Sequence, residues 1–225
     1  MATHLDLEEQ EQLDQVKHFW KQYGNLVTWL LIAALGTFAA WNGWTWWQRD
    51  QGIKAGAMYD ELDRAAQAGD VDKVTRVFTD LKERYPRTAF AQQGGLLASK
   101  LQFEKGQPDA AQASLAWVGE NGIEAEYQTV ARLRLAGALL DAKKFDQALK
   151  QLDAANAKEF EALVADRRGD VLQAQGKPED AKAAYNKAWA GMDPKVEYRR
   201  LIEAKLTALG AAPDASPGSK PEAAQ

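Results

Sequence analysis

A chain of 225 residues with 28 basic and 32 acidic side chains has room for one domain or for a repeat array with appendages. The net charge of -4 is concentrated in residues 1–22, where Asp6, Glu8, Glu9, Glu11 and Asp14 outnumber Lys17 and Lys21; no basic stripe stands ready to neutralise a phosphate backbone, which argues against nucleic acid as a partner. Cysteine is absent and the two histidines, His4 and His18, both lie near the N-terminus, so the rest of the chain has no disulfide, thiolate, imidazole base or histidine metal ligand.

The first element is residues 6–25, DLEEQEQLDQVKHFWKQYGN, in which Leu13, Val16, Trp20 and Tyr23 recur at three- and four-residue steps with acids on the remaining face. Asp6 and Glu9 form a candidate capping pair. Two readings stand side by side: a short helix lying on a membrane, or a solvated acidic tail that becomes helical only near a membrane span.

Residues 26–47, LVTWLLIAALGTFAAWNGWTWW, are 22 positions without a charge. As a helix they would be about 33 Å long, enough to cross a hydrocarbon core of about 30 Å. A buried core helix is the competing reading, but such a helix seldom lacks any charged face. Both ends also carry rings suited to the depth of the lipid headgroups: Trp20, Tyr23 and Trp29 at one end, Trp41, Trp44, Trp46 and Trp47 at the other. A cleaved signal peptide fits poorly, because the leading region is long and acidic and the small-residue site at residues 37–39 lies inside the apolar run. Lys17 and Lys21 on one side balance Arg49 and Lys54 on the other, so charge bias leaves the orientation open.

Beyond the apolar run, four turn-like tetrapeptides recur: GDVD at Gly69, GQPD at Gly106, KKFD at Lys143 and GKPE at Gly176, at offsets of 37, 37 and 33 residues. Glycine can end one helix in the left-handed conformation, proline can open the next, and the acid sits beside its N-terminal dipole. Behind each turn a small, large, small pattern marks one helix face: Val74, Phe78 and Leu81; Ala111, Leu115 and Val118; Ala148, Leu152 and Ala155; Ala181, Tyr185 and Ala188. Gly169 with Leu172, and Ala136 with Leu139, precede the last two copies at positions where close helix crossing needs a small residue. Pro86 and Pro194 close the first and last hairpins.

The pattern resembles the tetratricopeptide repeat, although the aromatic residues of its first helix are mostly missing. It predicts hairpins at about residues 53–85, 88–119, 125–156 and 160–192, with a closing helix at 196–209 that covers the open end. The 37-residue periods point to longer loops between repeats, for instance around Glu120, Asn121 and Gly122. The expected fold class is all-α: a single N-terminal transmembrane helix followed by a tetratricopeptide-like right-handed array of helical hairpins. The corresponding segments are an acidic stretch at 1–22, a transmembrane helix at 23–48, a repeat domain at 49–210 and a disordered tail at 211–225, whose three prolines accompany no large apolar side chain.

Catalysis is not expected. Glu124 with Glu126, and Asp166 with Asp170, read as solvated helix faces, and Gly94 with Gly95 reads as a tight packing or turn site and not a phosphate loop. No cofactor and no metal site are implied. Arrays of this kind bind through the concave surface made by their first helices, and the phase of the repeats places Tyr59, Leu96, Phe103, Leu133, Asp166 and Asp170 there as candidate partner-binding residues. The lipid bilayer is the partner of Trp20, Tyr23, Trp41, Trp44, Trp46 and Trp47.

The order of parts, an acidic glutamine-rich start leading into QVKHFWKQYGN, one span ending in tryptophans, then QRD and the repeats, resembles the ancillary subunit family of the bacterial SecYEG translocon, of the YfgM type. The resemblance implies an inner-membrane, single-pass protein with a cytoplasmic N-terminus and a periplasmic repeat domain. The implied partners are Sec translocon subunits and a membrane-anchored periplasmic chaperone of the peptidyl-prolyl isomerase type, and the implied role is an adaptor that passes newly translocated proteins to folding factors. Two alternatives remain at this level: a membrane-tethered envelope-stress regulator, which would depend on residues 1–15, and an envelope assembly scaffold, which would tolerate an unrelated anchor. Gly36 and Gly43 are candidates for a helix-packing face in that anchor.

Overall fold

The computed structural model describes residues 7–211, with side chains from residue 11. The capping pair expected of Asp6 and Glu9, and the proline-rich tail beyond residue 211, lie outside the described residues. The chain divides into two units, residues 1–51 and 52–225.

Helix α1 (Leu7–Gln67) is 61 residues long; no proline interrupts it, and it ends just before the left-handed Gly69. It passes residues 22 and 48, where segment boundaries were expected, without interruption. In the first unit, residues 7–22 are helical. The polar side chains of the apolar stretch turn back on the helix: Thr28 donates to Gly24 O at 2.7 Å, Thr37 to Ala33 O at 2.8 Å, Asn42 to Phe38 O at 2.9 Å and Thr45 to Trp41 O at 2.8 Å. Each hydroxyl and side-chain amide group of residues 26–46 thus donates a hydrogen bond within the helix and without water, as a hydrocarbon surrounding favours. The apolar residues are uncovered; Phe38 is 68% and Trp41 72% exposed. Only this helix, among the described residues, is long and apolar enough to cross a membrane.

In the second unit, the end of α1 pairs with α2 (Val71–Arg84), α3 (Ala89–Glu104) with α4 (Pro108–Asn121), α5 (Ala125–Asp141) with α6 (Phe145–Ala154), and α7 (Glu161–Ala174) with α8 (Pro178–Gly191). A short 3-10 turn, Lys158–Phe160, precedes α7, and α9 (Arg199–Ala208) closes the array. No strand occurs among the described residues.

The tetrapeptide turns share one geometry. Gly69, Gly106 and Gly176 have φ of 70°, 72° and 76°, and Lys143 takes the same left-handed position at 58°. At each, two amides recover carbonyls of the ending helix, as in Gly106 N to Phe103 O (3.0 Å) and Gln107 N to Gln102 O (2.8 Å), or Lys143 N to Leu140 O (2.9 Å) and Lys144 N to Leu139 O (2.8 Å). The next helix starts where Asp70 accepts from Lys73 N at 2.9 Å, or where Pro108 and Pro178 occupy the first turn.

The repeated face is the core. Val74, Phe78, Leu81, Ala111, Leu115, Val118, Ala148, Leu152, Ala181, Tyr185 and Ala188 are all buried. Glycines of the facing helices make room for the large members: a Cβ on Gly95 would stand 2.3 Å from Val118 Cγ2, and one on Gly169 2.4 Å from Tyr185 Cε1. Gly94 and Gly95 are therefore a packing site, and Gly169 is the small residue at a close crossing.

Two expectations are corrected. Ala155 does not extend the third copy, because α6 stops at Ala154 and Ala157 is buried instead. The reason is α5, whose Arg132 donates to Ala154 O while Thr129 Oγ1 accepts from Ala157 N at 3.2 Å, satisfying groups that a further helical turn would have used. Nor do the 37-residue periods carry longer loops. The extra length is helical: α2 and α4 have 14 residues against 10 in α6, and α3 and α5 have 16 and 17 against 14 in α7. The connection after Asn121 is short and held by buried Gln92, whose Oε1 accepts from Ile123 N at 2.9 Å and whose Nε2 donates to Glu124 at 2.6 Å.

Candidate functional site

Three first helices, α3, α5 and α7, leave between them a groove of about 540 Å³. Its apolar part is Phe103 from α3, Leu133 and Ala138 from α5, and Leu115 reaching through from α4. Phe103 is 38% exposed, an uncovered ring in an array that buries Phe78 of α2 to 2%. The groove is charged at its rim by Lys100, Glu104, Arg134, Asp141 and Arg167. Gly137 keeps it open, since the nearest atoms to a Cβ placed there are 3.7 Å away on Arg167.

The six residues expected on the concave face separate into three groups. Phe103 and Leu133 line the groove. Leu96 is half-buried against the core of Leu115, Leu135 and Leu139, and Tyr59 packs at a tilt on Phe90 with ring centroids 5.7 Å apart, away from the groove lining. Burial raises the Tyr59 phenol above its ordinary value, with Asp63, Tyr127 and Asp60 adding to the effect.

Asp166 and Asp170 are the clear correction. Asp166 is 1% exposed, accepts from Tyr198 Oη at 2.8 Å and meets Lys205 Nζ at 2.8 and 2.9 Å. Asp170 lies 2.7 Å from the same ammonium and accepts from Tyr185 Oη at 2.9 Å. Neither carboxylate is a freely solvated face, because both fasten α9 and α8 to α7, and Asp166 is sealed from solvent. Tyr185 and Tyr198 hold their protons well above the ordinary tyrosine range, chiefly through burial. The negative charge of Asp170 adds to this for Tyr185, and the hydrogen bond to Asp166 for Tyr198.

Arg134, Asp141, Lys100 and Arg167 were not anticipated as groove residues. A signal existed for two of them: Arg134, Gly137, Ala138 and Asp141 form a stripe at helical spacing on α5 in which only small residues separate two charges. In the first unit, Trp20, Tyr23, Trp41, Trp44, Trp46 and Trp47 are all exposed, from 44% for Tyr23 to 72% for Trp41. Gly36 and Gly43 have nothing within 4 Å of an added Cβ. Among the described residues no group of three or more histidine, aspartate or glutamate side chains is arranged to hold a metal ion.

Helical hairpins joined by repeated left-handed turns, with a glycine on one helix seating a ring or branched side chain from another, define a tetratricopeptide-like domain. A model of the tetratricopeptide repeat-like domain family matches residues 17–211. The chain is 33% identical over 214 residues to the ancillary SecYEG translocon subunit of Neisseria gonorrhoeae, a match that covers 93% of this chain and 100% of that protein. It is 27% identical over 204 residues to the protein of that name in Escherichia coli (89% and 96% covered) and 26% identical over 182 residues to the one in Haemophilus influenzae (81% and 89%). The chain belongs to the family of ancillary SecYEG translocon subunits.

Proposed function

We propose that this protein is a non-catalytic adaptor at the Sec translocon, anchored in the inner membrane by residues 23–48, with residues 1–22 in the cytoplasm and the repeat domain of residues 49–210 in the periplasm. Its task is to pass newly translocated chains to a membrane-anchored periplasmic chaperone of the peptidyl-prolyl isomerase type. The observation that carries the reading is the likeness to translocon subunits, which runs through both the apolar helix and the repeats and covers 93% of the chain. The physical rationale is effective concentration: a tethered binding domain meets emerging segments at roughly millimolar local concentration, so contacts too weak to matter in solution become occupied.

Topology is the test. Single cysteines replace Ala2 and the exposed Glu120 in this cysteine-free chain, and intact spheroplasts are treated with an impermeant maleimide. Labelling at 120 with protection at 2 is the expected result, together with channel subunits and a chaperone in a mild-detergent purification. The reverse labelling pattern overturns the reading.

A further inference from the structure

The rim charges of the groove are not equivalent. Lys100 lies 3.9 Å from Glu104, and Arg167 lies 3.5 Å from Asp170. Among the described residues Arg134 and Asp141 have neither an ion pair nor a hydrogen bond through their side chains, and both are exposed. They cannot satisfy each other, because seven residues of helix separate them by about 10 Å along the axis. One unmatched cation and one unmatched anion therefore stand at two ends of an apolar slot floored by Ala138 and walled by Phe103 and Leu133.

Taking the adaptor reading as its basis, we infer that the groove binds a polypeptide segment that seats a bulky apolar side chain against Phe103 and Leu133, directs a carboxylate to Arg134 and directs a basic group to Asp141. A segment in the polyproline II conformation covers about 9 Å in three residues and returns its first and fourth side chains to one face, so the acid and the base are three positions apart with the apolar anchor between them. Charge complementarity is the argument for this occupant over an uncharged apolar one, since an uncharged segment would desolvate Arg134 and Asp141 without replacing their water. The chain's own residues 212–225 do not meet the requirement, having no large apolar side chain.

The probe is a fluorescein-labelled dodecapeptide with a central Glu-Leu-Phe-Lys, titrated by anisotropy against the full chain in zwitterionic lipid nanodiscs, with empty nanodiscs as the blank. Saturable binding is expected, weakened roughly tenfold by Phe103→Ala and roughly three- to fivefold by Arg134→Glu or Asp141→Lys. A control peptide with both charges replaced by glutamine should bind more weakly to the unaltered protein and be indifferent to Arg134→Glu. Arg134 and Asp141 are exposed, so those variants report on the groove even if Phe103→Ala disturbs the fold. Binding that ignores both charge substitutions, or no binding above the blank, overturns the inference. Copurification of channel subunits with the unaltered protein separates the two levels: channel retained while the peptide does not bind defeats the groove assignment alone, and channel absent defeats the adaptor reading.

Discussion

Gly169→Ala and Gly137→Ala add the same methyl group to the interior of two first helices, and they should move stability in opposite directions. Intrinsic helix propensity favours alanine over glycine by about 1 kcal/mol at either site. At Gly137 nothing opposes the gain, because the nearest atoms lie 3.7 Å away on the end of Arg167. At Gly169 the new Cβ would stand 2.4, 2.5 and 2.8 Å from three ring atoms of Tyr185, so the ring must retreat by about 1 Å. That ring is 1% exposed and its hydroxyl is held by Asp170 at 2.9 Å, leaving it no free direction. Overpacking of such a site costs about 3 kcal/mol, and loosening a hydrogen bond to a carboxylate about 1 to 2 more. The net expectation is a loss of about 3 kcal/mol for Gly169→Ala and a gain of about 1 kcal/mol for Gly137→Ala. In thermal melts of the full chain followed by circular dichroism, at about 2 to 4 °C per kcal/mol, Gly169→Ala should melt about 6 to 12 °C below the unaltered protein and Gly137→Ala a few degrees above it. A Gly169→Ala melting point at or above that of Gly137→Ala would refute the close crossing of α7 and α8.

Lys143 occupies a left-handed position that glycine holds at the three equivalent turns, so Lys143→Gly should raise stability in urea by about 0.5 to 1 kcal/mol, while Gly106→Ala, at φ 72° in open space, should lower it by about 1 kcal/mol. Lys205→Met leaves the buried Asp166 and half-buried Asp170 facing each other without their shared ammonium; a loss of about 3 kcal/mol is expected by urea denaturation, with hydrogen exchange accelerated first in α9. Because Tyr185 and Tyr198 have raised values in the folded state, the folded chain keeps protons that the unfolded chain loses near pH 10. Their contribution to stability is thus constant below about pH 10 and falls above it. Urea midpoints between about pH 9 and 11 should decline, and Tyr198→Phe should make the decline shallower.

Local chemistry was fully legible along the chain. The left-handed turns at Gly69, Gly106 and Gly176, the prolines opening α4 and α8, and the small, large, small face behind each turn depend on backbone geometry and side-chain size over a few residues. KKFD could be aligned with its glycine-bearing counterparts because the spacing around it was unchanged, even though lysine is a poor residue for that conformation. The apolar stretch of residues 26–47 was equally plain, since an unbroken absence of charge has few physical explanations. What failed was phase and partnership. Asp166 and Asp170 looked like solvent-facing acids because their neutralising partner, Lys205, lies 39 and 35 positions away. Ala155 looked like core because nothing near it announces that Arg132 and Thr129 will take the end of α6.

The sequence by itself determined that the fold class is all-α, that one helix carries an uncharged stretch long enough for a bilayer, and that hairpins follow at nearly regular intervals, because these rest on interactions between residues close along the chain. Only the tertiary structure decided that Phe103 and Leu133 share a groove with unmatched Arg134 and Asp141 while Asp166 is sealed beneath α9. Those assignments depend on which helix faces meet, and a face is buried or open according to side chains that arrive from distant parts of the chain.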